Sequence, residues 1–328
     1  PLYPPSCSPP LRCRASPSPF GRTGRSGYVG TVSDSEGGAG PAWFTGALEQ
    51  LPDRGEVEVE GCPVRWLAWG DRSLPTLVLV HGGAANAFWW TFIGPLLADE
   101  YRVVAPHLSG HGDSGWRDTY RTELWAEELL AVAAAGGGTS PRRPYIAGHS
   151  LGSQVTAVAA ARHGDTVAGA VLIDFGLRSR GERSQSAQRA DRSYRDWPTR
   201  AEALARFRVI PWQPCENDFI VRHIAEQSVV QRPDGRWGWK FDPNLFGRSI
   251  ERYLGDYLTD IRVPVALLPG RDSRVVPPEI TSRVLATLLR PVPVVPIPAA
   301  HHHVMLDQPL AFVAALRAVL ATWSTPAP

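Results

Sequence analysis

Residues 145–152 read Tyr-Ile-Ala-Gly-His-Ser-Leu-Gly, and they join a short apolar run to small residues of helical spacing that continue to Ala161. This is the strand, turn and helix in which the serine of a G-x-S-x-G motif becomes a nucleophile. The turn leaves little room for side chains at its flanks, so glycines stand two residues before and two residues after Ser150. The turn projects the serine hydroxyl and strains the backbone. Ser150 is therefore the candidate nucleophile.

A second glycine turn precedes this motif. Leu77–Val80 is an apolar run typical of a buried parallel strand, and it leads directly into His-Gly-Gly at residues 81–83. Glycines in such a turn allow backbone N–H groups to point at an oxyanion. Another strand pattern, Arg102–Ala105, comes shortly before the glycine-rich loop Gly-His-Gly-Asp-Ser at residues 110–114.

The order of these features resembles the α/β-hydrolase superfamily, and the resemblance extends over about residues 46 to 328. It implies an α/β-hydrolase fold with a mostly parallel, eight-stranded sheet flanked by helices and with a helical cap insertion. One departure is His107, because relatives usually have Asp before the G-x-G-x-S loop. We expect this change to affect the packing of the loop more than the chemistry.

The hydrophobic pattern predicts eight strands with helices between them. The first two strands alternate apolar with other residues and are expected to be antiparallel. The others are short apolar runs, expected to be parallel, and Thr122–Ala135 and Val155–Arg162 are two of the helical patterns between them. The eight predicted strands are Glu56–Glu60, Val64–Trp69, Leu77–Val80, Arg102–Ala105, Tyr145–Ala147, Ala168–Ile173, Val263–Leu268 and Val292–Ile297.

The interval between Ile173 and Val263 is too long for a loop in a compact domain. We expect an insertion over about residues 178–258 that forms a helical cap above the active site, as the resemblance also implies. Residues 178–192 are polar and basic, whereas residues 197–246 have helical spacing and many aromatic side chains. Most of these aromatic residues are expected to hold the cap together, and some to face the substrate. They are Trp197, Phe207, Trp212, Phe219, Trp237, Trp239 and Phe241.

Residues 1–44 differ in composition from the rest of the chain. They are rich in Pro, Ser and Gly, and they contain arginines but no acidic residue before Asp34. This composition offers little apolar surface to bury, so we expect a disordered tail followed by an α/β-hydrolase domain of residues 45–328. A tail without acidic residues is also compatible with an organellar transit segment, although a cytoplasmic location is the favoured interpretation.

The composition argues against several classes of partner. A net charge of only +2 gives no electrostatic indication of nucleic acid or of an anionic membrane surface. No apolar run approaches the roughly 20 residues that cross a bilayer. The expected partner is a small, mostly apolar acyl substrate, and the oligomeric state is not predicted. The cysteines lack metal-ligand spacing and are expected to be reduced thiols; they are Cys7, Cys13, Cys62 and Cys215.

A serine nucleophile requires a base within hydrogen-bond reach and an acid that orients the base. In this superfamily the chain order is serine, acid, histidine, and the late histidines are His301, His302 and His303. The resemblance places the catalytic histidine seven residues before a proline that opens the last helix, and counting back from Pro309 gives His302. A metal site is not expected here, because neighbours in a loop point in different directions and no group of carboxylates accompanies them.

Two aspartates are candidates for the acid. After the seventh strand, relatives commonly have G-x-x-D, where this chain has Gly-Arg-Asp-Ser at residues 270–273. Ser273 thus occupies the usual position of the acid, and Asp272 comes one residue early. Asp174 ends the sixth strand, and a branch of the superfamily takes its acid from that position. Asp174 is favoured, and Asp272 remains the alternative.

The oxyanion hole is expected to consist of two backbone N–H groups. One belongs to Leu151, which follows the nucleophile, and the other to Gly83 or Ala84 in the His-Gly-Gly turn. His81 is expected to brace this turn through its ring. His149 is expected to pack within the elbow rather than to act as a second base.

Together these features predict a serine hydrolase that cleaves an ester or a related acyl bond through an acyl-enzyme, without a cofactor. Ser150 attacks the carbonyl, His302 transfers the proton and Asp174 holds the imidazole. A dehalogenase or epoxide hydrolase of this superfamily would have Asp in place of the serine. The same three residues would serve carbon–carbon bond hydrolysis or acyl transfer. Some hydrolase-like proteins are instead small-molecule receptors, which turnover would distinguish from an enzyme.

Overall fold

The computed structural model describes residues 13–14, 40–182, 195–250 and 252–324. A seven-stranded sheet runs through the molecule, and most of its strands are short runs of Val, Leu, Ile and Ala. The strands are β1 (Asp53–Val59), β2 (Cys62–Trp69), β3 (Thr76–Val80), β4 (Arg102–Pro106), β5 (Tyr145–His149), β6 (Gly169–Ile173) and β7 (Val265–Leu268).

The strands lie in the order β7-β6-β5-β3-β4-β2-β1. β2 is antiparallel to both β1 and β4, and all other neighbours are parallel. The prediction of a mostly parallel sheet with two antiparallel opening strands is therefore confirmed. The carboxyl ends of β3, β5, β6 and β7 meet at one edge of the sheet, which is where open α/β sheets bind their ligands.

The predicted eighth strand, Val292–Ile297, is not a strand of this sheet. Isolated parallel bridges to Leu267 and Gly270 hold the segment beside β7. The ladder is interrupted because Pro269 on one side and Pro293 on the other have no N–H group to donate. The sheet therefore has seven strands, and the prediction of eight was wrong.

Both faces of the sheet are covered by helices. Alternate side chains of β3 point to opposite faces, so Leu77 and Leu79 belong to one apolar cluster and Val78 and Val80 to another. None of the helices in the described ranges combines the length and apolar character needed to cross a membrane. The helices are α1 (Ala42–Glu49), α2 (Thr122–Gly136), α3 (Leu151–Arg162), α4 (Arg200–Arg206), α5 (Asp218–Gln227), α6 (Gly255–Leu258), α7 (Pro278–Leu288), α8 (Val304–Asp307) and α9 (Pro309–Ser324), with 3-10 turns at Ala87–Trp90 and Gly94–Leu97.

The chain between β6 and β7 forms the cap segment, which contains α4 and α5. It also contains a β-hairpin of Val229–Gln231 and Trp237–Trp239, so the helical spacing predicted for residues 197–246 was wrong there. The turn signal is Pro-Asp-Gly at residues 233–235, in which Gly235 has a φ of +85° that few other residues adopt. A short strand at Ser249–Ile250 pairs with Tyr120–Arg121 and ties the cap segment to the core.

Folded structure begins before the boundary predicted at residue 45. α1 starts at Ala42, and Phe44 is buried against the rings of Phe92 and Phe219. Further upstream, Cys13–Arg14 forms a short strand that pairs with Trp116–Arg117. The predicted disorder otherwise falls on residues 1–12 and 15–39, which lie outside the described ranges, as do residues 183–192 of the polar and basic stretch predicted at 178–192.

Candidate active site

Ser150 lies in the tight turn between the end of β5 and the start of α3. Its backbone has φ 54° and ψ −115°, a strained combination for an L residue. The flanking glycines are required by close backbone contacts. A Cβ on Gly148 would lie 2.1 Å from the carbonyl oxygen of Gly152, and a Cβ on Gly152 would lie 2.4 Å from that of Val80. This strand, turn and helix geometry places Ser150 just after the carboxyl end of β5, at the edge of the sheet.

Three of the predicted site residues form a continuous hydrogen-bonded row. His302 Nε2 lies 3.0 Å from Ser150 Oγ, and His302 Nδ1 lies 2.6 Å from Asp174 Oδ2. Asp174 is wholly buried and His302 is 4% exposed, so water competes little for these bonds. When Nδ1–H donates to the carboxylate, the Nε2 lone pair faces the serine hydroxyl. The row can therefore accept the proton of the serine.

The carboxylate of Asp174 is surrounded by donors from the loop after β7. The Gly270 N–H donates to Oδ1 at 2.9 Å, and the Ser273 hydroxyl donates to Oδ2 at 2.7 Å. Asp174 has a φ of 46°, in the left-handed region that Asp tolerates better than most residues. The side chain of Asp272 is exposed, and its backbone N–H donates to the Ala300 carbonyl. Of the two candidate acids, Asp174 is the one bound to the imidazole.

The loop that carries His302 is held by both the core and the cap segment. The ring of His149 donates from Nε2 to the His302 carbonyl at 2.8 Å. From the cap segment, the Gln213 side chain accepts the His303 N–H at 2.9 Å and donates to Asp307 at 2.8 Å. These bonds hold the imidazole of His302 between Ser150 and the acid.

Burial keeps the histidines beneath the site neutral. Desolvation lowers the pKa of His149 well below its usual range, and a charge on His302 lowers it further. Desolvation also lowers the pKa of His81, whose ring donates from Nδ1 to the Gly82 carbonyl at 2.8 Å and accepts the Leu108 N–H at 3.1 Å. His81 thus braces the glycine turn, and His149 acts as a fixed donor to the histidine loop.

The two predicted oxyanion donors lie next to each other. Leu151 is the first residue of α3, so its N–H has no acceptor within the helix. A Cβ on Gly83 would lie 3.6 Å from the Leu151 side chain, which puts the glycine turn against the start of α3. The alternative donor, Ala84, follows Gly83 in the same turn, has a left-handed φ of 61° and also lines the cavity above Ser150.

His107 occupies a position at which relatives have Asp, and its ring packs against the loop below the site. Its Nδ1 accepts the Ala87 N–H at 3.1 Å, and its ring lies so close to Gly112 that a Cβ there would be 2.0 Å away. Burial lowers the pKa of His107 to about 3, so the ring is neutral and acts as an acceptor.

The three consecutive histidines, His301, His302 and His303, do not share one set of partners. His301 pairs with Asp307 at 3.1 Å, whereas His302 and His303 lie with His149 in a buried group whose ring nitrogens are within 4.8 Å of one another. Such a group could bind a metal ion. However, both ring nitrogens of His302 already have partners, so a metal would displace the serine or the acid. The arrangement fits the hydrogen-bonded row better than a metal site.

A cavity of about 430 Å³ opens above Ser150. Its floor is formed by residues at the carboxyl ends of the strands, among them Gly83, Ser150 and His302. Its roof belongs to the cap segment, where the ring of Trp239 lies 4.8 Å from that of Trp197 and 6.0 Å from that of Phe207. A pocket of this kind, mainly apolar with a few polar groups at one point, is typical of a small-molecule site.

The predicted cap aromatics divide between the cavity and the scaffold. Trp197, Phe207, Trp239 and Phe241 line the cavity. Phe219 instead packs against Phe44 at 4.8 Å, and Trp212 is 72% exposed.

Sequence reasoning missed three contributors to the site: Ser273, Gln213 and the hairpin that carries Trp239. The sequence pattern marks Ser273 only as a departure from the usual acid, although its hydroxyl supports Asp174. Gln213 has no local signal, because it reaches His303 through the folding of the cap segment, 90 residues away in the chain. The hairpin that carries Trp239 does have a signal, the Pro-Asp-Gly turn.

Comparison with known proteins identifies the family. The chain matches the alpha/beta hydrolase family over residues 77–316. An esterase of Mycobacterium tuberculosis is 28% identical over 279 residues, which cover 81% of this chain and 90% of the esterase. The crystal structure of an esterase from the same organism superposes with a TM-score of 0.65 at 25% identity, over 85% of this chain and 97% of that chain.

A further solved structure is similar to this chain in fold only. E-2-(acetamidomethylene)succinate hydrolase superposes with a TM-score of 0.69 at 20% identity, over 82% of this chain and 99% of that chain. The family match covers most of the chain and includes Ser150, Asp174 and His302. The seven-stranded, mostly parallel sheet between helices is the fold that this match implies. The chain belongs to the α/β hydrolase family, and it is a hydrolase.

Proposed function

We propose that this hydrolase is a serine esterase that cleaves an ester or a related acyl bond through an acyl-enzyme. The observation that carries the proposal is the row from Ser150 through His302 to the buried Asp174, directly below a mainly apolar cavity. A serine hydroxyl is a poor nucleophile at neutral pH unless a base accepts its proton. The row supplies that base, and no step requires a cofactor.

In the first half of the reaction, Ser150 Oγ attacks the carbonyl carbon of the ester while His302 Nε2 accepts the hydroxyl proton. The imidazolium gives this proton to the oxygen of the leaving alcohol, the C–O bond breaks, and the acyl group remains on the serine. Asp174 stabilises the positive imidazolium and keeps the proton on Nδ1. Its own position is supported by Gly270 and Ser273.

In the second half, water repeats the attack. His302 accepts a proton from the water, the hydroxide adds to the acyl carbon, and the carboxylic acid leaves as Ser150 recovers its proton. The tetrahedral intermediates place their negative oxygen toward the N–H groups of Gly83 and Leu151. Removing one donor of this type typically raises the barrier by about 3 kcal/mol.

Covalent labelling with a fluorophosphonate tests the nucleophile. Ser150→Ala should abolish labelling and reduce the hydrolysis of p-nitrophenyl hexanoate by about 10⁵-fold or more, with little change in the thermal midpoint. Ser228→Ala is the matched control, because Ser228 lines the same cavity but bonds to the Ile224 carbonyl instead of to a base. This control should still be labelled.

Two outcomes would contradict the proposal. Labelling of Ser150→Ala at another serine would assign the nucleophile elsewhere. A wild-type protein that is labelled at Ser150 but turns over no ester would favour a receptor that retains the row without using it. Turnover on the order of 10 s⁻¹ is typical of an enzyme on its own substrate.

A further inference from the structure

The cap segment places three arginines at the mouth of the cavity. Arg195, Arg206 and Arg208 all line it, and their side chains are exposed to solvent. No Asp or Glu is among the described residues that line the same cavity. We call these three arginines the cationic rim. The cavity is thus apolar inside and positively charged at its opening.

A short strap, residues 206–213, holds two of the rim arginines in place. It leaves the end of α4 in an extended form in which the side chains alternate. Arg206, Phe207 and Arg208 all line the cavity, but the two arginines are exposed to solvent whereas Phe207 between them is half-buried. At the other end of the strap, Gln213 binds the His303 N–H in the loop of the base. The strap therefore links Arg206 and Arg208 through the backbone to the loop that contains His302 and His303.

Several other cations of the cap segment have carboxylate partners. Their charges are neutralised within the protein, at distances of 2.9 to 3.6 Å, and are not available to a ligand. These pairs are Arg232 with Asp196, Lys240 with Asp113, and Arg248 with Asp242.

The rim arginines form no ion pair with any residue in the described part of the chain. Arg208 donates to the backbone carbonyls of Ala205 and Phe207, which orient the guanidinium but leave its positive charge in place. Glu202 precedes Arg206 by one turn of α4, and among the described residues no ion pair joins its exposed carboxylate to that arginine. The rim charge is therefore available to an anion that enters the cavity.

Resting on the proposed esterase function, we infer that the substrate is an ester that also carries an anionic group, a carboxylate or a phosphate. The apolar part of this substrate occupies the aromatic interior, and the anionic group binds the cationic rim. A guanidinium beside apolar walls attracts an anion more strongly than it does in open water, and it can hold two oxygens of one carboxylate or phosphate. The reaction is unchanged: water cleaves the acyl C–O bond, and the anionic group takes no part.

Esters of equal chain length and different charge test this inference. The probes are p-nitrophenyl hexanoate, mono-p-nitrophenyl adipate and p-nitrophenyl 6-(trimethylammonio)hexanoate, each corrected for spontaneous hydrolysis. At pH 7.5 and low salt, kcat/KM should be about tenfold higher for the adipate than for the hexanoate, and about tenfold lower for the cation. Salt at 0.5 M should reduce both differences to about twofold. A 6-phosphonohexanoate ester then shows whether the rim favours phosphonate over carboxylate.

Substitutions in the rim should reduce the preference for the anionic ester. Arg195→Gln and Arg206→Gln are each expected to lower the adipate-to-hexanoate ratio about threefold, and the double variant to bring it close to one. Arg206→Lys should keep most of the ratio, because the charge remains. The matched control is Arg222→Gln, which removes one charge from α5 of the same segment, where Arg222 pairs with Asp218 away from the cavity.

Equal kcat/KM for the three esters, or a ratio that survives in the double variant, would overturn the inference. Failure of the proposed esterase function gives a different result, because then none of the esters is hydrolysed. In that case the binding of adipic monoanilide and hexananilide, measured by the fluorescence of the tryptophans in the cavity, still tests the charge preference. Equal affinity for the two anilides would reject the cationic rim as an anion site.

Discussion

The floor and the roof of the cavity are built in opposite ways. In the floor, Asp174 and His302 are buried, and bonds of 2.6 to 3.0 Å join them to each other and to Ser150. In the roof, the cationic rim is exposed, and its arginines have no carboxylate partner among the described residues. The aromatic rings around Trp239 are only half-buried. The floor has few alternative arrangements, whereas the roof presents groups to whatever enters.

This difference separates the two tasks of the site. Groups that must act on a developing charge require fixed geometry in a dry environment, which the floor supplies. Groups that select a substrate require accessible surface, which the roof supplies. Changes in the floor should therefore act mainly on kcat, and changes in the roof mainly on KM and on the choice of substrate.

The largest effect after loss of the nucleophile is expected from the acid. Asp174→Asn should keep the fold but favour the wrong tautomer of His302, a change that costs about 10⁴-fold in kcat in a serine protease. Asp272→Asn is the matched control and should cost at most a few-fold, because its side chain is exposed. Steady-state kinetics of both variants on one p-nitrophenyl ester gives the comparison. A large loss for Asp272→Asn with a mild loss for Asp174→Asn would place the acid after β7.

Acid should destabilise the part of the core beneath the floor, which contains four buried histidines. Burial lowers the pKa of His107 to about 3 and that of His111 to about 4, and it lowers the pKa of His81 and His149 well below the usual range. These histidines are neutral in the folded state and bind protons near pH 6.5 when unfolded, so stability is complete above that pH and falls as the pH drops. The lowered pKa values of His107 and His111 each correspond to about 2 kcal/mol of stability lost between pH 6.5 and pH 5.

Urea unfolding at pH 7 and at pH 5 measures this loss. The four contributions will not add fully, because the rings of His81 and His111 lie 4.9 Å apart and interact. His107→Asn keeps an acceptor for the Ala87 N–H and should make the dependence on pH less steep. A free energy of unfolding that is the same at both pH values would show that these histidines are not held neutral.

A smaller effect is expected from the support of the acid. Ser273→Ala removes one donor to Asp174 and leaves the Gly270 N–H in place, so kcat should fall about tenfold, the value of one hydrogen bond to a charged group. Ser73→Ala is the matched control, since the hydroxyl of Ser73 donates to Asp71 at 2.6 Å on the exposed surface. Equal, small effects of the two variants would mean that the orientation of Asp174 does not depend on Ser273.

The smallest effect is expected from the roof. Trp239→Leu removes aromatic surface between Trp197 and Phe207, so KM for p-nitrophenyl octanoate should rise about fivefold with kcat nearly unchanged. Trp212→Leu, a change of the same size on an exposed side chain of the same segment, should leave KM unchanged. A fall in kcat for Trp239→Leu that equals the rise in KM would show that the roof also positions the reacting group.

The fold was predictable wherever a short local pattern specified it. The parallel strands are apolar runs of four or five residues, and glycines mark the turn at Ser150 because backbone contacts there leave no space for a Cβ. The prediction failed at Val292–Ile297, where the run is apolar enough for a strand but Pro293 within it and Pro269 just after β7 each remove a donor. Strand formation depends on both partners, and only one is visible in a local pattern.

The sequence by itself determined the glycine-flanked turn at Ser150, the loop of three histidines and the fold class, because each depends on residues that are close together in the chain. Only the tertiary structure decided that Asp174 meets His302, 128 residues away, with Ser273 as a donor. It alone also decided that Gln213 supports the loop of His302 and His303 and that three arginines line the cavity. These contacts join separate elements, and their geometry depends on how the elements pack rather than on the sequence within any one of them.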